Sequence, residues 1–259
     1  MDQWFRLVIF DPFAVAALCA ISMLVCLWMG FRQGRRHPEG RSHGSALIDE
    51  ACLAILGLLL AFCFAAAYGK LDTRDERIVA DANALRTLHF RCQSLPQPQR
   101  EQLQPLVIES VRQRLIISEG KLDAPGLRAM DGRIRVTEGE ILALVSRFAQ
   151  DSQTADLGAS LVDACLELVE SHEARLAAAM DHIPMSVIAL MIFVASISAY
   201  LMGRSEAETG RLRRRTVMLI LIVSAIVQVT MDLEQPLRGF IQSDQSPIIR
   251  LAQNMGVTA

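Results

Sequence analysis

The stretch from Ala51 to Leu95 constrains this chain more than any other. Residues Ala51 to Tyr68 form a run of 18 without a charge, and Asp72, Arg74, Asp75, Glu76 and Arg77 follow with no proline before Pro96. At a rise of about 1.5 Å per residue, the uncharged half is long enough to cross about 30 Å of hydrocarbon. The charged half keeps helical spacing, with Leu71, Ile78, Ala82, Leu85 and Leu88 on one face. One long helix is expected to leave the membrane near Lys70 and continue into water.

Three more uncharged windows, Pro12 to Phe31, Ile183 to Gly203 and Thr216 to Met231, read as further spans. With 52% hydrophobic residues and a mean hydropathy of +0.30, the chain is apolar for a soluble protein. The expected fold is therefore an all-α membrane protein. Four transmembrane helices in two hairpins, 1–69 and 183–241, flank a helical extramembrane domain at 70–182, and a polar tail follows at 242–259. The region before Asp11 has no basic excess and reads as a retained anchor rather than a cleaved signal. Trp4, Phe5, Trp28 and Phe31 sit where interfacial aromatic belts belong.

Charge is segregated despite a net value of −2. Loop 32–45 holds Arg32, Arg35, Arg36 and Arg41, and loop 204–215 holds Arg204, Arg211, Arg213, Arg214 and Arg215. Basic short loops stay in the cytoplasm, which puts both termini and 70–182 on the far side, periplasmic in a bacterial inner membrane. These arginines mark topology and anionic lipid contact, not nucleic acid.

Within the second span Ala54, Gly57, Ala61 and Ala65 recur at three- and four-residue steps and make one face nearly flat. Such a face serves helix packing or a pore surface, so Gly57 and Ala61 are candidate pore residues. Leu95-Pro96-Gln97-Pro98 ends the long helix and starts another, which carries Leu103, Val107, Val111 and Leu115. Residues 119–135, with Gly120, Pro125, Gly126 and Gly132, read as a loop. Thr137 and Glu140 then form a capping box that starts the next helix. A long helix from about Ala155 re-enters the membrane near Pro184.

Asp232 and Glu234 lie at a membrane edge, where carboxylates need solvent or a partner. They are expected either to pair with an outer arginine such as Arg74 or Arg175, or to ring a pore mouth. His172 near Glu170 and Glu173 is expected on a solvated helix face rather than in a metal set. Asn83 needs a partner if buried, either backbone or ligand. Cys92 and Cys165 are the two extramembrane cysteines and could pair. No phosphate loop, nucleophile elbow or C-x-x-C pair occurs, so neither enzyme activity nor a cofactor is expected.

Several of these stretches resemble the bestrophin-like membrane proteins of bacteria and plants. The carriers are GLLLAFCFAAA with Asp72 and Arg74, DANALRT containing Asp81 and Asn83, LPQPQR containing Pro96, Pro98 and Arg100, and MDLEQPLRGFI containing Asp232, Glu234, Pro236 and Gly239. Asp81 stands where the family usually has Glu, and Glu234 where a second Asp is usual. The resemblance implies a multi-pass homo-oligomer in the lipid bilayer and, through the more distant true bestrophins, a channel for a small anion. True bestrophins keep their middle region in the cytoplasm; the nine loop arginines give the reverse orientation here, and that orientation is retained. The other reading is a non-conducting scaffold or sensor whose outer bundle binds a partner or ligand.

Overall fold

The computed structural model describes residues 11–36, 43–151, 154–207, 211, 213–235 and 239–258. Trp4, Phe5, Arg41 and Pro236 lie outside them. Among the described residues eight helices follow in order: α1 (Pro12–Arg36), α2 (His43–Gln93), α3 (Gln97–Ser118), α4 (Ala124–Gln150), α5 (Ala155–Met180), α6 (Met185–Ala207), α7 (Arg214–Leu233) and α8 (Ser246–Asn254). No strand occurs among the described residues. Among the described residues four helical segments are apolar enough to cross a membrane: α1, the first half of α2, α6 and α7.

The spans of the two hairpins interleave. Span α1 lies against α6 and α7, and α2 also lies against α6 and α7, so α6 and α7 join the two helices of the N-terminal hairpin. Cys19, Met23 and Leu27 of α1 pack with Leu56, Leu60 and Cys63 of α2 and with Met191, Ala195 and Val223 in one buried cluster. At the α1–α6 crossing a Cβ on Gly30 would overlap the Tyr200 carbonyl, and one on Gly203 would overlap the Leu27 carbonyl. The two helices approach that closely because both positions are glycine.

Outside the membrane, the second half of α2 packs on α5, α5 on α4, α4 on α3, and α3 back on α2. The ring closes over Leu85, Leu88, Leu103, Val107, Ile141 and Leu168. This is bundle packing of amphipathic helices with apolar stripes turned inward.

Two expectations about this region are corrected. Residues 124–135 are helix, not loop. Pro125 sits in the first turn, where its missing N–H costs nothing, and the Asp123 carboxylate accepts the Gly126 N–H at 2.9 Å. Leu127, Met130 and Ile134 then continue the buried stripe that Ile141 and Val145 extend. Thr137 is accordingly no cap: its hydroxyl accepts from the Gln113 amide at 2.9 Å and donates to the Arg133 carbonyl. The polar tail also contains structure. Ile248, Leu251 and Ala252 of α8 are buried against α2 and α3, so 246–254 belongs to the bundle.

Candidate functional site

Two polar assemblies stand out. The first is a joint at the membrane surface, where α2 passes the ends of α5 and α7. Arg74 is one turn beyond Lys70 and only 3% exposed. Its guanidinium donates to the carbonyls of Ala178 (3.2 Å) and Asp181 (2.9 Å) at the end of α5, and of Leu233 (2.9 Å) at the end of α7. Helix C-termini carry unpaired carbonyls and partial negative charge, and a planar guanidinium suits several at once. Lys70 adds an ion pair to the Asp181 carboxylate at 2.5 Å.

The two carboxylates of the terminal motif join the same assembly by another route than expected. Asp232 accepts the backbone N–H groups of Phe240 (2.9 Å) and Ile241 (2.8 Å). Gly239 makes this turn possible, with φ at +117° and a position where a Cβ would lie 2.6 Å from the Asp232 carboxylate. Glu234 accepts the Ile183 N–H at 2.8 Å, in the four-residue break between α5 and α6. In place of the expected contact ion pair with Arg74 or Arg175 both carboxylates bond backbone donors, and the charge of Glu234 still favours the charged form of Arg74 from a distance. Asp232 and Glu234 are 2% and 4% exposed, so within the chain neither faces open solvent.

The second assembly is a charge network across all four helices of the bundle. Asp81 on α2 takes Arg114 of α3 at 3.0 Å and Arg175 of α5 at 2.8 Å, and Arg114 also takes Glu138 of α4 at 2.7 Å. Asp81 and Arg114 are completely buried. Burial by itself pushes the Asp81 carboxyl up, but the guanidiniums of Arg114 and Arg175 outweigh it and hold the group below its ordinary value. For Arg114 burial works against the charge, and the carboxylates of Asp81 and Glu138 prevail and raise it. In a cluster so enclosed each charge has lost its water, so its members depend on one another and removing one leaves its partner uncompensated.

His172 lies beside this network, 6% exposed, and pairs with Asp131 of α4 at 3.1 Å. The solvated face expected for it is corrected: Leu161, Cys165, Leu168 and His172 share one stripe, while Glu170 and Glu173 are exposed and Glu173 pairs with Arg135. Burial and the nearby Arg114 keep its imidazole below the ordinary value.

The remaining sequence candidates are dispersed. Asp72 and Asn83 are exposed, and the Asn83 side chain accepts from Arg86 at 2.7 Å on the same helix. Pro96 precedes α3, Pro98 sits in its first turn, and Arg100 is half-buried. Cys92 and Cys165 are both buried and unbridged. Gly57 and Ala61 are exposed on the membrane half of α2, and Leu60 and Phe64 join them with Ile222, Ala225, Ile226 and Val229 of α7 around an open apolar cleft. Among the described residues, no group of three His, Cys, Asp or Glu side chains could hold a metal ion.

Sequence reasoning did not single out Arg114 or Glu138. The available signal was phase: Arg114 follows Leu103, Val107 and Val111 on the buried face of α3, and Glu138 falls between Ile134 and Ile141. A charge in an apolar stripe needs a partner from another helix.

A family model described as a Bestrophin-like domain matches residues 50–248. No curated protein and no solved structure matches the chain. The matched segment runs from the start of the second span into α8 and so contains both polar assemblies.

Proposed function

Because this chain belongs to the bestrophin-like family, we propose that it is an oligomeric, channel-like integral membrane protein whose copies meet along α2 around a path for a small anion. The observation that supports this reading is the flat face of the second span. Ala54, Gly57, Ala61 and Ala65 are all exposed, while the chain's own spans cover the opposite residues Leu56, Leu60, Cys63 and Ala67. A small-residue face permits close helix approach, and among the described residues nothing comes within 4 Å of where a Cβ on Gly57 would sit. Ile55, Leu58 and Phe62 beside it are more than half exposed, an apolar flank suited to lipid or a second copy. In this reading Asp232 and Glu234 hold the mouth of each subunit in shape. The arginine-rich loops support a multi-pass inner-membrane protein with 70–182 on the periplasmic side. No catalytic step is part of the proposal.

The joint favours a second reading, a non-conducting sensor or scaffold. Arg74 ties α2, α5 and α7 at one point, so a partner on the bundle has a rigid connection to the spans. Cross-linking addresses the shared premise. In a variant without native cysteines, Leu58→Cys should form disulfide-linked multimers in membranes while Ser171→Cys in the bundle should not. Monomers alone from Leu58→Cys would count against assembly along α2. Labelling cysteines introduced into loops 32–45 and 119–123 fixes the orientation; access to 119–123 only after permeabilisation would reverse it.

A further inference from the structure

A cavity of about 80 Å³, room for several waters, lies in the bundle next to the charge network, with Arg74 at its membrane-proximal end. Its walls are mostly hydrocarbon, from Ile78, Ile117, Leu127, Ile134 and Leu176. The segment after α7 closes one side with Ser243 and Gln245. We propose that this cavity binds a short amphiphilic carboxylate, with the carboxylate on Arg175 and Ser243 and the hydrocarbon tail against the isoleucine and leucine walls. The inference goes beyond the channel reading and holds whether or not the protein conducts.

The hydrogen-bond inventory of the walls identifies the head group. Among the described residues, three guanidiniums line the cavity, against one carboxylate, Asp131. Arg74 is occupied by three carbonyls. Arg114 is occupied by Asp81, Glu138 and the Ser110 carbonyl. Asp131 is taken by His172 and Arg135. Arg175 differs: one nitrogen is fixed by Asp81, and the other donates to the neutral Gln245 amide oxygen at 3.1 Å. A carboxylate is the better acceptor for that fork and can displace the amide. The Ser243 hydroxyl is 95% buried by residue, lines the same cavity and has no partner among the described residues. In the proposed complex it donates to the second oxygen. A polar side chain left in that state asks for an occupant. Few polar groups set in apolar walls is the general character of a small-molecule site.

Displacing Gln245 has a structural consequence. The same segment is held by the Asp75 carboxylate through the Asp244 N–H at 2.9 Å, and it leads directly into α8. Occupancy would therefore be felt where the spans join the bundle.

The test uses the full chain in nanodiscs with hexanoate as probe and hexylamine, hexanol and oleate as comparisons. Binding is read by thermal shift and by isothermal titration. Hexanoate should bind saturably and raise the melting temperature, hexylamine should not, and hexanol should be about tenfold weaker for want of the charge-assisted hydrogen bond. Oleate separates a soluble ligand from a membrane-derived one; a cavity of this size predicts the shorter chain. Gln245→Ala removes the competing amide and should tighten hexanoate binding, whereas Ala179→Phe fills the cavity and should abolish it without changing the circular dichroism of the protein. Failure of hexanoate to bind, equal effects of hexanol and hexanoate, or unchanged affinity in both Gln245→Ala and a folded Ala179→Phe would overturn the proposal. Preference for oleate would move the source of the carboxylate to the membrane and overturn the short-chain assignment.

Discussion

Replacing Arg114 with methionine tests whether the charge network organises the bundle. The side chain is completely buried and donates to Asp81 at 3.0 Å and to Glu138 at 2.7 Å. Without it Asp81 keeps Arg175, but Glu138, only 3% exposed, is a carboxylate in an apolar bundle whose ion-pair partner is gone. Removing one member of a buried pair costs about 3–5 kcal/mol, because the survivor keeps its desolvation penalty. At about 2 °C per kcal/mol, the lower end for a domain of this size, the melting temperature should fall by at least about 6 °C. Circular dichroism melts of purified protein in nanodiscs measure it. The double variant Arg114→Met, Glu138→Gln leaves Asp81 and Arg175 as a balanced pair and should recover most of the loss. A drop below about 2 °C in the single variant, or a double variant no better than the single, would refute the reasoning.

Two other outcomes follow from the same geometry. His172 has a folded-state value below the ordinary 6.5, lowered by burial and then by Arg114 against the opposing pull of Glu138, Asp81 and Asp131. Its contribution is thus present above about pH 6.5 and lost as pH falls toward the lower folded value, so between about pH 7 and pH 5 the melting temperature should fall more in the parent than in His172→Gln, and equal slopes would exclude this residue. Gly239→Ala should cost about 1–3 kcal/mol through its positive φ and its contact with Asp232, and the loss should be less than additive with Asp232→Ala in thermal melts.

The spans were legible because hydrocarbon imposes a length and a charge rule that no soluble core helix needs. The long α2 was legible for the same reason, together with the absence of proline before Pro96. Where reading by breakers failed, position within the helix decided. Pro125 looks like a stop in the middle of a charged stretch, yet in the first turn of α4 it is harmless, and the stripe from Leu127 onward outweighs two glycines. The C-terminal segment looked polar because α8 is short, with three buried apolar residues in nine. Asp232, Glu234 and Gly239 stood out as a motif, but their work is done on backbone N–H groups, which no residue identity reveals. Arg114 and Glu138 were hidden in plain periodicity: each occupies a core position on its own helix, and only the packing of four helices shows that they are partners.

The most direct measurement of the central claim is current through the verified oligomer in planar bilayers, made with Ala61→Cys in a background without native cysteines. Anion-selective current is expected, suppressed by a charged, membrane-impermeant thiol reagent at position 61 and unchanged in a Leu190→Cys control at an exposed position of α6. Silence of the oligomer under all ionic conditions, or current indifferent to modification at position 61, would contradict it.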